Sequence, residues 1–195
     1  MNEVFYIGRD DIPRKVVLGE GEKLFWTLVY LPGSAPAQVN LDIDLAGPGA
    51  QADIAGVYLC PQGEILSLGI RVSHLSGGCS SRQLFKGIAG EGSRVSFDGL
   101  IYVARDSQKT KAYQESHTIL LSDKALVTTS PQLEIYADDV ECSHGATTGF
   151  LNADEEFYMR SRGIPEQEAR RLQIISFLAP VLGRLPEESR YDILP

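Results

Sequence analysis

Cysteine is scarce in this chain of 195 residues, with only Cys60, Cys79 and Cys142. So small and odd a number excludes a disulfide framework and favours a reducing, cytosolic setting. Positive charge is also in short supply. Eighteen Lys and Arg stand against 26 Asp and Glu, a net charge of −8, which argues against a surface that tracks nucleic-acid phosphates. Long apolar runs are missing: the longest, LFWTLVYL at 24–31, falls far below the ~18–20 residues that span a bilayer. The opening MNEVFYIGRDD carries acids where a secretory leader needs an apolar stretch. A soluble, cytoplasmic chain without membrane insertion is the expectation. There is no GxxxxGK[ST] loop and no G-x-S-x-G elbow, so neither nucleotide hydrolysis nor the commonest esterase chemistry is expected of it. GIAGEG at 87–92 has the wrong glycine order for a phosphate loop and reads as a turn.

What is abundant is alternation. In Gln38 to Leu45 the apolar Val39, Leu41, Ile43 and Leu45 interleave with Gln38, Asn40, Asp42 and Asp44, the pattern of a half-buried strand. Similar stretches run at 52–59, 66–74, 95–103, 117–121 and 132–137, separated by turns such as GPGA, PQG, SGG and GEG. The first three starts are about 14 residues apart. Many short strands with glycine turns make a sandwich, a barrel or a solenoid, and no strict repeat chooses among them. The polar run SQKTKAY, 107–113, reads as an exposed loop or strand end. After Gly149 the period shifts towards 3.6. Asn152 with Glu155 forms an N-cap and partial capping box, and Gly163 offers a stop. Ile164-Pro165 then opens a second helix whose Ile174, Ile175, Leu178, Val181 and Leu182 line one stripe, with Arg170 and Arg171 at its margin. The organisation expected is an N-terminal segment 1–22, a β body 23–149, a helical hairpin 150–183 and a loosely ordered tail 184–195.

Few residues could carry chemistry. In an extended DDVECSHG, Val140, Cys142 and His144 share one face, and Glu141 and Ser143 the other. A thiol and an imidazole side by side suit a soft or borderline metal or a Cys–His reactive pair. They supply only part of the usual four ligands, and a buried Cys beside a hydrogen-bonded His is the plainer reading. His74 lies on the apolar face of Leu66, Leu68, Ile70 and Val72 and reads as a core histidine. His117 shares a face with Ile119 and Leu121 and reads as structural unless a neighbouring strand adds a ligand. Cys60 and Cys79 read as packing residues, and Asp138-Asp139 as a turn. The helical stripe packs internally or docks a partner.

Certain runs, taken together, resemble a known family. PQLEIYADDVECSHGATTGFLNADEEFYMRSRGIP, with QKT and LLSDKA upstream, resembles the SufB/SufD subunits of the Suf iron–sulfur cluster assembly system, and the SufD branch in particular. The resemblance implies a mainly β fold, a right-handed parallel β-helix followed by the C-terminal helical hairpin, in a non-enzymatic subunit. It implies that the helices dock a SufC-like ABC ATPase, with Arg170, Arg171, Ile174, Ile175 and Leu178 as docking candidates. It also implies that the β-helix end meets a SufB-like subunit or a second copy. His144 and Cys142 match the CSHG motif and become candidate metal ligands. With His117 they are the candidates for an intersubunit surface where an iron–sulfur cluster is held transiently. Ser116 stands where SufB carries a cysteine, and Gly145 where SufB carries a glutamate, so the site is SufD-like. Family members are longer, with an N-terminal helical region and more coils. The alternatives are a β-solenoid binding module without cluster work, and an enzyme with Cys142 as nucleophile.

Overall fold

The computed structural model describes residues 2–191. Eleven strands wind as a parallel β-solenoid of about five turns. The strands are β1 (Glu3–Tyr6), β2 (Lys15–Leu18), β3 (Lys23–Tyr30), β4 (Ala37–Leu45), β5 (Gln51–Gln62), β6 (Ile65–His74), β7 (Ser80–Glu91), β8 (Arg94–Val103), β9 (Thr110–Leu120), β10 (Leu126–Ile135) and β11 (Val140–Phe150). Odd-numbered strands form one sheet in the order β1-β3-β5-β7-β9-β11, and even-numbered strands the other, β10-β8-β6-β4-β2. Each coil therefore lends one strand to each sheet, and the 14-residue spacing legible in the sequence is half a coil. Stacked side chains such as Ser67–Ser96 and Gln83–Gln114 stand 29 and 31 residues apart. This unevenness is why no consensus repeat shows.

In-register parallel pairing sets like faces over like faces. The inner faces of the two sheets meet in a core that includes Trp26, Leu28, Leu41, Ile43, Ile54, Leu68, Ile70, Phe85 and Phe97. Burying each such side chain contributes about 1.5–3 kcal/mol. Residues 1–22 hold β1 and β2, which extend both sheets at one end. Residues 107–113, read as an exposed loop or strand end, hold the start of a strand, and two of their polar side chains point inward. Ser107 and Thr110 are fully buried and β9 begins at Thr110. Their hydroxyls are inside because they stitch the turn: Ser107 Oγ donates to His74 O at 2.9 Å, and Thr110 Oγ1 to Ser107 O at 2.8 Å.

Helices α1 (Ala153–Ser161), α2 (Glu166–Leu182) and α3 (Glu187–Tyr191) follow. Asn152 caps α1, its Oδ1 accepting from the backbone of Asp154 and Glu155, and Gly163 follows the helix at φ +88°, where other residues are strained. Asn152's own N–H is taken by Gln173 Oε1 (2.9 Å), while Gln173 Nε2 donates back to Asn152 O (3.2 Å). One amide thus clamps the strand-to-helix junction onto α2. Pro165 is the N-cap of α2 and not its first residue. Ile174, Leu178, Val181 and Leu182 pack on Val29, Ala55, Val57, Leu59, Leu84 and Ile88, on the outer face of the odd-strand sheet. The start of the expected loose tail is tied down: Leu185 is buried, and Arg184 pairs with Asp53 at 2.6 Å. Residues 192–195 of that tail lie outside the described residues.

Candidate functional site

The two ends of the solenoid differ from its middle in having strands with one neighbour. At the C-terminal end, among the described residues, β10 pairs only with β8 and β11 only with β9, leaving two rows of backbone donors and acceptors open. The edge of β10 is blunted by Pro131. Leu126 N donates to Ser93 O, so alternate residues face the free edge, and that is where Pro131 lacks its N–H. No proline interrupts β11.

Register assigns each residue of β11 to a face. Cys142 stands beside Ala112, His144 beside Gln114 and Ala146 beside Ser116, and those three β9 residues are buried. The side chains of Cys142 and His144 thus belong to the inner face of a coil that no further coil covers. Cys142 is half-buried and His144 is exposed. Burial pushes the Cys142 thiol upward, with a backbone contact at Ala112 working the other way. That is the wrong direction for a nucleophile, since reactive cysteines carry lowered pKa values. Among the described residues no group of three or more His, Cys, Asp or Glu side chains is placed to hold a metal ion. The chain presents a pair of donors at an open edge, not a closed site.

His117 does not join them. Its β9 position alternates with buried Ser116 and Thr118, so it lies on the outer face, opposite His144. There its Nδ1 meets Thr147 Oγ1 at 2.7 Å and its Nε2 meets Glu115 Oε2 at 3.3 Å. The sheet separates the two histidines, and the expected grouping of His117 with Cys142 and His144 is corrected accordingly. His74 is fully buried, and its Nε2 meets Ser81 Oγ at 2.9 Å. Burial lowers its pKa to about 4. Cys60 is buried too, its thiol pushed up to about 12 by burial and then by Glu64. Asp139 serves the turn before β11, pairing with Lys109 and donating its N–H to Gln108 Oε1.

Sequence reasoning missed the polar column behind His144. Register stacks Ile54, Gln83, Gln114 and His144 on the inner face, and Gln114 Nε2 donates to Gln83 Oε1 at 2.9 Å. Gly99 makes room for it, because a Cβ there would collide with the Gln114 carboxamide. The available signal was polar residues standing at inward positions of an alternating strand.

The docking candidates also divide. Ile174 and Leu178 are covered by the chain's own sheet, which removes them from any partner surface. Ile175 and Arg170 are partly exposed and Arg171 exposed. A groove between α1 and α2 is lined by Tyr158, Met159, Leu172 and Gln173 together with Asp154 and Glu155, and Phe157 on α1 is 75% exposed. No described helix is long and apolar enough to cross a membrane.

Comparison with known proteins supplies the remaining findings. Residues 13–177 match the family described as SUF system FeS cluster assembly, SufBD core domain. The iron–sulfur cluster assembly protein SufD of Escherichia coli is 38% identical over 159 residues, covering 82% of this chain and 38% of that protein. A SufBD family protein of Synechocystis is 42% identical over 117 residues, 60% of this chain and 25% of its own length. Bacillus subtilis SufB is 28% identical over 165 residues, 83% and 36% respectively. The chain thus spans well under half the length of these relatives.

Proposed function

The chain belongs to the SufB/SufD family, and from that premise we propose that it serves as a SufD-like subunit in iron–sulfur cluster assembly, contributing Cys142 and His144 to a surface completed by another subunit. The observation that carries this reading is the final coil, whose inner face presents a thiol and an imidazole on an edge strand with no neighbour beyond it. Thiolate and imidazole are ligand types that suit iron–sulfur cargo. Two donors are half of a usual ligand set, so the rest must come from across the edge, from a SufB-like subunit or a second copy. Parallel-strand edges offer that contact directly, since pairing satisfies the open backbone groups of β11.

Iron and sulfide are cargo in this scheme, and the cluster resides transiently at the intersubunit surface. Ser116 supports the division of labour. Its hydroxyl, 1% exposed and without a hydrogen-bond partner, stands where the resemblance to SufB implies a thiol, so in this scheme the stronger soft donor belongs to the partner. A SufC-like ABC ATPase docks on the α1–α2 side, at the groove of Tyr158, Met159 and Leu172 with Asp154 and Glu155 in its lining, and Arg170 and Arg171 stand on the same helix α2. Because α2 is packed on β5 and β7 through Val57, Leu59, Leu84 and Ile88, a push on that helix is delivered to the solenoid wall. The chain does this in the cytoplasm, as a scaffold subunit and not as an enzyme.

The test is anaerobic reconstitution with ferrous iron and sulfide, performed on the chain mixed with a SufB-like subunit. Replacing Cys142 and His144 together by alanine is expected to lower the cluster absorbance several-fold. An unchanged spectrum in the double variant contradicts the reading and favours a solenoid module without cluster work.

A further inference from the structure

Four side-chain atoms of the described residues are buried without a hydrogen-bond partner: His74 Nδ1, Gln83 Nε2, Gln114 Oε1 and Ser116 Oγ. Leaving such a group unmet costs about 1–3 kcal/mol, so each calls for an explanation. Gln114 has one in its place in the column. It is fully buried, and its Nε2 is committed to Gln83, one coil behind. The carboxamide lies beside Gly99, and its oxygen is the end not committed to Gln83. One coil forward, about 4.8 Å on, the residue in register is His144. No described residue hydrogen-bonds the His144 ring, which is exposed at the rim.

We propose that Gln114 is the positioning residue for His144: when the ring turns in from the rim, Gln114 Oε1 accepts one imidazole N–H, fixing the tautomer and holding the other ring nitrogen towards the open edge as a lone pair. The proposal rests on the reading of His144 as a donor at that edge, and it deepens that reading. A metal-binding histidine commonly donates its second N–H to an acceptor behind it, and losing that acceptor weakens the metal by about 10–100-fold. Glutamine suits the task here. Its amide nitrogen is anchored on Gln83, so the acceptor is held rigidly, and it places no charge beside the ring.

The test uses the full chain with 15N-labelled histidine, Gln114→Met to remove the acceptor at similar volume and Gln114→Glu to restore one. Ring 15N shifts of His144 are read at about pH 8, above the ordinary imidazole range, and cobalt(II) is titrated in as the metal probe. Wild type is expected to show one dominant tautomer, Gln114→Met a mixture, and Gln114→Glu a return to the first. Cobalt affinity is expected to fall about 10–100-fold in Gln114→Met. The same tautomer ratio in wild type and Gln114→Met overturns the proposal. So does an even mixture in wild type, a measurement that stands if Gln114→Met fails to fold. If the tautomer follows Gln114 while His144→Ala leaves cobalt binding unchanged, the positioning role holds and the reading of His144 as a metal donor falls.

Discussion

The coil of β5 and β6 and the coil of β10 and β11 are built on the same plan and end in opposite conditions. In the first, the inward positions Ile54, Tyr58, Leu66, Leu68, Ile70 and Val72 are all buried, with strands on both sides. In the second, the equivalent inward positions include Thr129, Pro131, Cys142 and His144, and none of β11 is fully buried. A solenoid coil is stabilised by its neighbours and not by itself. The coil that lacks one neighbour is therefore where polar, chemically capable side chains can stand at little cost to stability, and where the backbone still has pairing to offer. Within the same register column the change is stepwise, from Ile54 through Gln83 and Gln114 to His144.

Removing the same side chain from both environments tests the contrast between the two coils most severely. Phe85 is fully buried against Phe97, ring centroids 5.0 Å apart, and Phe150 is 63% exposed on β11. Phe85→Ala is expected to cost about 3–5 kcal/mol in chemical denaturation. Phe150→Ala should stay within about 0.5 kcal/mol, as for an ordinary surface site. Equal losses would mean that the last coil is as closed as the first.

A second contrast is in pH dependence. His74, fully buried, has its pKa lowered to about 4 by burial, against an ordinary ~6.5 when unfolded. Between those values the unfolded chain binds a proton that the folded chain does not. Stability therefore rises with pH through that window and is lost as pH falls from about 6.5 towards 4, by roughly 3 kcal/mol from this group. Compared with wild type, His74→Gln should show a correspondingly shallower loss in denaturation series over that range. Identical slopes would show that the interior at His74 is not dry.

Much of this division could be read in advance from particular residues. Period two in Gln38–Leu45 gave β4, because one face of that strand meets solvent and the other the core. It was blurred in β5, where Ala55, Val57 and Leu59 on the outer face are themselves covered by α2, so both faces are apolar. The caps Asn152 and Gly163 were legible because their chemistry is local. In 107–113 the strand start was legible, but the burial of Ser107 and Thr110 was not, because their polarity serves internal hydrogen bonds. Cys142 and His144 share a face by alternation alone. That His117 lies on the other face, and that Gln114 stands behind His144, depends on coil-to-coil register, which uneven turns between strands conceal. The exposure of His144 follows from its coil having no successor, a property of the stack and not of any local motif.

Amide hydrogen exchange on the chain alone and mixed with a SufB-like subunit reads directly whether the free edge of β11 is the surface that another subunit covers. In the free chain β11 should exchange fastest among the long strands and β5 and β7 slowest. With the partner added, protection should appear first and most strongly in Val140–Phe150, and more weakly in β10, where Pro131 interrupts the edge. Binding with β11 exchange unchanged, and protection confined to other parts of the chain, would contradict the claim.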